Sequence, residues 1–169
     1  DGTEIHQLIN AITTNLTGFF REPHHFDFLA RTLVPIWAAR PGTSLRIWSA
    51  GCASGEEPYS IAMVLLEHLA DARRRDLRIL ATDLDTQALA QADAAIYPID
   101  RIGPLADLPW RRWVLRGRGG QEGLIRLRPE VRALVHLRQL NLIGDWQLER
   151  RYDAIFCRNV MIYFDKPTQ

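Results

Sequence analysis

The residues of this sequence best suited to chemistry gather around one glycine turn. Gly51-Cys52-Ala53-Ser54-Gly55 follows the short apolar run LRIWSA, and Glu56-Glu57-Pro58 then opens a segment with helical patterning. A strand that ends in small residues and feeds a helix N-terminus brings backbone N–H groups close to a ligand. Gly51 and Gly55 permit that approach, although glycine is also the ordinary residue of any strained turn. Ala53 stands where a dinucleotide fingerprint places its central glycine. Glu56 and Glu57 suit the positive end of a helix dipole with no ligand at all. They would also repel a pyrophosphate bound there and welcome an ammonium or a sulfonium. The turn thus points away from a nicotinamide or ATP site and towards a cationic ligand that carries an amino acid.

Further polar groups fall where strands should end. Asp83 follows the apolar run 77–82, the position from which an acid hydrogen-bonds ribose hydroxyls in nucleoside-binding α/β sheets. Asp85 fits better as the N-cap of the next helix. Asn141 closes the run 134–142, where a turn-forming role is equally open to it. Cys157-Arg158-Asn159 closes the run 152–157. Ligands of open parallel sheets bind outside the carboxyl ends of the strands, so all of these groups are eligible.

The elements that must position them follow from periodicity. A short helix is expected over residues 4–12, then a polar stretch, then a helix begun near Pro23 with Phe26, Leu29 and Leu33 on its apolar stripe. Pro41-Gly42 ends it. Strands are expected over 45–50 and 77–82, each followed by a helix, with Ile61, Val64, Leu65 and Leu69 on one side of the first. Strand–helix alternation of this kind builds a parallel sheet wound with crossovers. Between Tyr97 and Glu130, glycines, prolines and arginines break the pattern, and Leu124-Ile125-Arg126-Leu127-Arg128 alternates. A small antiparallel insertion over about residues 98–132 is expected there, with its arginines (Arg111, Arg112, Arg116, Arg118, Arg126, Arg128 and Arg132) in solvent. The whole reads as an α/β, Rossmann-like sheet, with residues 1–42 as a helical segment and linker and 43–169 as the core.

Composition narrows the field. A chain of 169 residues supports one sizeable core. Its formal charge of +1 argues against a polyanion binder working by bulk field. Lys166 is the only lysine, so the positive charge is carried by arginine, which favours bidentate contacts with carboxylates and phosphates. No apolar run reaches the ~18 residues of a membrane span, and no secretory leader is visible. Cys52 and Cys157 fit buried thiols of a reducing compartment, with no second Cys or His at zinc spacing. Phe19 and Phe20 read as core. Adjacent His24 and His25 are expected on different helix faces, so no metal site is expected.

At this point four separated segments carry a specific resemblance. TTNLTGFFREPHHF from Thr13, IWSAGCASGEEPYSIA from Ile47, ILATDLDTQAL from Ile79 and YDAIFCRNVMIYFDKPTQ from Tyr152 together resemble the chemotaxis-receptor glutamate methyltransferases of the CheR type. The resemblance implies S-adenosylmethionine as cofactor and transfer of its sulfonium methyl to glutamate carboxylates of methyl-accepting chemotaxis receptors. The products would be a glutamyl methyl ester and S-adenosylhomocysteine. It implies that Asn15, Thr17 and Arg21 reach the cofactor, that Glu57 faces its methionine part and Asp83 its ribose, and that Asn141 and Leu142 face its adenine. Gly51 and Asn159 join this set, Arg158 and Tyr163 lie near the transfer centre, and Arg21 and Tyr163 are the catalytic pair. A cytoplasmic monomer that docks receptor through the insertion is implied, with neither nucleic-acid binding nor membrane insertion. In such proteins a helical domain precedes this region, and a helix and closing strands follow it, so the C-terminal strands of the sheet are expected to be missing from a chain that ends at Gln169. The competing expectations are a nucleic-acid methyltransferase using the arginines on phosphates, and a non-catalytic module that senses S-adenosylmethionine.

Overall fold

The computed structural model describes residues 16–105, 109–144, 148 and 151–167, so Asn15 and the helix expected over 4–12 lie outside it. The first described helix, α1 (His24–Phe28), widens into a π-helical stretch, Leu29–Leu33, before α2 (Val34–Ala38). Pro35 accounts for the change. It has no N–H to donate to the carbonyl of Arg31, and its ring crowds that group, so the ordinary bond is lost and the turn opens. The extra residue shifts the apolar face by one position. Phe26 and Leu29 are buried as expected, but Val34 and Trp37 continue the stripe and Leu33 is only partly covered.

The parallel sheet is built from β1 (Leu45–Ala50), β2 (Leu77–Asp83), β6 (Val135–Gln139) and β7 (Ala154–Phe156) in the order β6-β2-β1-β7. Ile47 pairs with Ile79 on one side and Ala154 on the other. β1 is buried along its length apart from Arg46, as suits a central strand covered on both faces. The two last strands are shorter than the runs 134–142 and 152–157, which leaves Asn141 and Arg158 in the loops just beyond them. From β1 the chain winds outward through β2 to β6 and then returns to β7 on the far side. The crevice at that reversal is where open α/β sheets bind ligands.

Helix α3 (Glu56–His68) corrects the expectation of a single apolar side. Every residue from Glu56 to Leu65 is buried. The unbroken run Ile61-Ala62-Met63-Val64-Leu65 is the cause, because a helix apolar all round is stable only when covered all round. β2 and β6 touch it on one side, and α1, the π stretch and α5 (Pro129–Arg132) on others. Helix α4 (Thr86–Ala94) begins as expected at Asp85, whose Oδ1 accepts from the N–H groups of Gln87 (2.8 Å) and Ala88 (3.1 Å).

Next comes a small antiparallel sheet, β3 (Ile96–Pro98), β4 (Val114–Arg116) and β5 (Leu124–Leu127), in the order β3-β5-β4. It is tied to the main core rather than free of it. Tyr97 is fully buried, meets Phe19 edge-on at 5.0 Å, and donates its hydroxyl proton to the Ser54 carbonyl at 2.7 Å. Two of the insertion's arginines also bond to the protein, Arg112 while still exposed as expected. Arg112 pairs with Glu67 and covers the Trp113 ring at 5.3 Å, and Arg132 donates to the Asp93 carbonyl at 3.2 Å. Among the described residues no helix is long and apolar enough to cross a membrane. Cys52 is buried, Cys157 half-buried, and both are free thiols whose pKa burial pushes up.

Candidate functional site

A cleft of about 450 Å³ opens at the carboxyl ends of the parallel strands. Every expected site residue that the structure describes lines it. Thr17 and Arg21 come from the segment before α1, Gly51 and Glu57 from the turn after β1, and Asp83 from the end of β2. Asn141 and Leu142 come from the loop after β6, and Arg158, Asn159 and Tyr163 from the segment after β7. Asn15 is outside the described residues.

The glycine turn is held by backbone geometry. Gly51 (φ 77°), Ala53 (φ 46°) and Gly55 (φ 94°) are all left-handed. The N–H groups of Gly51 and Cys52 both donate to the Thr82 carbonyl, at 2.8 and 2.9 Å. Asp83 closes the turn from the next strand. Its Oδ2 accepts from the Ala53 N–H at 2.7 Å and its Oδ1 from the Asp85 N–H at 3.0 Å. Each carboxylate oxygen keeps a second lone pair, so Asp83 can still accept from a diol in the cleft.

Glu57 lies almost buried at the base. Its Oε1 accepts from the Ser49 hydroxyl at 2.7 Å and its Oε2 from Arg158 Nη1 at 3.0 Å. Burial pushes its carboxyl above the usual carboxylate range, while Ser49 and Arg158 oppose that shift. Glu56, expected beside it, is not in the cleft. Consecutive residues of a helix point about 100° apart, and Glu56 is fully buried on another face, where it accepts from Ser54 Oγ (2.7 Å) and Arg101 Nη1 (3.3 Å). The charged lining is therefore Glu57 and Asp83 against Arg21 and Arg158. Of the two glutamates only Glu57 faces the cleft, so the expected pair of acids at its rim is a single buried one.

Arg158, expected near the transfer centre, is also a hub whose partners the sequence did not announce. Besides Glu57, its Nη2 donates to the Arg21 carbonyl at 2.6 Å and pairs with Glu22 Oε2 at 3.1 Å, and its guanidinium lies over the Phe26 ring at 5.7 Å. That hydrogen bond holds the Glu22 carboxyl below its ordinary range. Asn159 Nδ2 reaches the other Glu22 oxygen at 3.4 Å. Phe20 (φ 53°), Glu22 (φ 57°) and Asn159 (φ 57°) are left-handed non-glycine residues on this rim, a conformation that persists only where surroundings hold it. The Phe20 N–H donates to Ser60 Oγ at 3.0 Å, and its ring stacks on Trp110 at 4.6 Å. Arg21 itself spends one guanidinium N–H on the Leu16 carbonyl at 2.5 Å and keeps the rest of its fork. Tyr163 stands exposed at the mouth.

Asn141 lines the cleft, and its Oδ1 accepts from the Ile143 N–H at 3.0 Å, the turn-forming role open to it. Leu84 and Val160, which line the cleft, and Ser49, which holds Glu57 from behind, are residues the sequence did not announce. Ser49 was hidden as one small residue in a buried strand, and the other two look like any loop hydrophobics. The cleft as a whole offers a buried acid for an ammonium, a strand-end acid for a diol, and Leu84, Leu142 and Ile143 as walls for a flat ring. His24 and His25, expected on different helix faces, do not face apart. The chain enters α1 from left-handed Glu22, and the two rings lie 4.0 Å centroid to centroid.

A family model described as CheR methyltransferase, SAM binding domain, matches residues 15–169. The chemotaxis protein methyltransferase of Klebsiella aerogenes is 48% identical over 162 residues, which are 95% of this chain and 54% of that protein. Chemotaxis protein methyltransferase 2 of Pseudomonas aeruginosa is 48% identical over 163 residues, 95% of this chain and 57% of that protein. The Escherichia coli chemotaxis protein methyltransferase is 45% identical over 162 residues, again 95% and 54%. The chain thus spans about half the length of the curated relatives it matches. Among solved structures, the magnesium protoporphyrin IX methyltransferase of Synechocystis with bound SAH is 14% identical with a TM-score of 0.40, over 97% of this chain and 61% of that one.

Proposed function

Because the chain belongs to the CheR methyltransferase family, as its S-adenosylmethionine-binding domain, we propose that it serves transfer of the cofactor's methyl group to glutamate carboxylates of methyl-accepting chemotaxis receptors. The products are a glutamyl methyl ester and S-adenosylhomocysteine, and the setting is the cytoplasm. The cleft that gathers residues from Thr17 to Tyr163 is the observation that carries this reading.

The residues fit the cofactor. Glu57, nearly out of water, takes the ammonium of its amino-acid part. Asp83 accepts from the ribose hydroxyls, and Asn141 and Leu142 flank the adenine. S-adenosylmethionine supplies an electrophilic methyl on a cationic sulfur. The acceptor is already a carboxylate near neutral pH, so no strong general base is required. Alignment of nucleophile and methyl can then supply most of the acceleration. Arg21 holds the acceptor carboxylate with the free part of its fork through charge-assisted hydrogen bonds, and Tyr163 contributes from the mouth. Arg158 joins Glu57 to the backbone that carries Arg21, so the cofactor and acceptor ends share one support. The nucleic-acid alternative is not favoured, since the family model and the relatives matched are chemotaxis methyltransferases.

Two measurements test this. S-adenosylhomocysteine should bind tightly in calorimetry while NAD and ATP stay silent. Arg21→Ala should lower receptor methylation more than tenfold, with Tyr163→Phe milder. Near-normal methylation by Arg21→Ala would reject its role, and binding of ATP in preference to S-adenosylhomocysteine would reject the cofactor assignment.

A further inference from the structure

Outside the cleft, on the outer side of the Arg158 hub, Glu22, His24 and His25 place one carboxylate oxygen and two imidazole nitrogens within 4.8 Å of one another. We propose that these three side chains form a binding site for a zinc-class divalent cation. The donor set is chemically apt. Imidazole suits zinc, copper and nickel, and a carboxylate completes a three-ligand set that leaves a fourth position for water.

For one pair the spacing fits as well. Bonds of about 2.0–2.1 Å in a tetrahedral sphere put neighbouring ligand atoms about 3.4 Å apart. His25 Nδ1 and Glu22 Oε2 are 3.5 Å apart. His25 Nδ1 is itself shielded from solvent and makes no hydrogen bond among the described residues, so its lone pair is open to a cation held jointly with the Glu22 carboxylate. The backbone explains how close neighbours in sequence converge. Left-handed Glu22 folds its carboxylate back over the first turn of α1, where the His25 N–H bonds the Glu22 carbonyl at 3.1 Å. His24 is exposed, so an ion can arrive from water.

One group opposes the ion. Arg158 Nη2 lies 3.1 Å from the same Glu22 oxygen, and Asn159 holds the other. A carboxylate has about four lone-pair sites, so it can serve both cations, at reduced affinity. Micromolar rather than nanomolar binding follows.

The test is titration of Zn²⁺ into the metal-free chain by calorimetry, with the optical spectrum of Co²⁺ as a second readout and Mg²⁺ as the oxygen-seeking comparison. One equivalent of Zn²⁺ should be taken up in the micromolar range, with Mg²⁺ silent at the same concentrations. His24→Gln and His25→Gln should each weaken uptake at least tenfold, while Asp27→Asn in the same segment leaves it unchanged. His24 is exposed, so its variant should keep the circular dichroism of the parent and decides the matter if His25→Gln fails to fold. Uptake only in the millimolar range, or micromolar uptake indifferent to His24→Gln, overturns the proposal.

Discussion

Replacing Gly51 by alanine isolates the contact that shapes the floor of the cleft. At φ +77°, a β-carbon on this residue would stand 2.2 Å from Val160 Cγ2 and 3.4 Å from Val160 Cβ. Two penalties follow. Left-handed backbone costs an alanine about 1–2 kcal/mol. Forcing a methyl into occupied space costs about 1–3 kcal/mol. Their sum, about 2–5 kcal/mol, is a large part of the ~5–15 kcal/mol that holds an ordinary domain. Val160→Ala removes Cγ2 and leaves a contact of ordinary length, so it relieves the second penalty and not the first. Urea unfolding of the two single variants and the double variant, compared at constant slope, reads the difference. The double variant should be more stable than the sum of the singles by about 1–3 kcal/mol, with about 1–2 kcal/mol still missing. Effects that add to within about 0.5 kcal/mol would refute the steric account.

Glu57 links stability and binding to pH with opposite signs. Its carboxyl is raised from 4.5 by burial, so over a window starting there the native state keeps a proton that the unfolded chain has released. Its share of stability is therefore greatest below that value and declines as pH rises through the raised one. Binding of an ammonium needs the ionised form, so S-adenosylhomocysteine should bind more weakly as pH falls through the same window. Parallel unfolding and calorimetric series should diverge in this way, and Glu57→Gln should flatten both; matched trends would contradict it. Asp85→Ala removes the acceptor for two N–H groups at the start of α4, which costs about 1 kcal/mol. Scanning calorimetry should show a Tm lower by about 2–4 °C, and an unchanged Tm would mean that the cap is idle.

Local rules made much of this legible in advance. The parallel sheet followed from strand and helix alternating, the turn from Gly51 and Gly55, and the start of α4 from an aspartate before a helical run. These depend on neighbours in sequence. What escaped depends on partners far away. Arg158 meets Arg21 and Glu22 across more than a hundred residues, and no spacing announces that. Glu56 and Glu57 look alike in the text, and only the packing of α3 sends one inside and the other to the cleft. The His24–His25 approach and the π stretch before Pro35 come from backbone states, left-handed Glu22 and a missing N–H, whose effects periodicity does not express.

Asp83 fastens the turn with both oxygens, bonds that need no ligand and that hold its side chain in one rotamer. If Asp83 takes a ribose as proposed, the sugar would meet an acceptor that needs no freezing, and the affinity gained would be undiminished by that entropy. The same economy makes the position unforgiving: an exchange here would loosen the scaffold and blunt recognition together, and a drop in affinity alone could not say which had gone first.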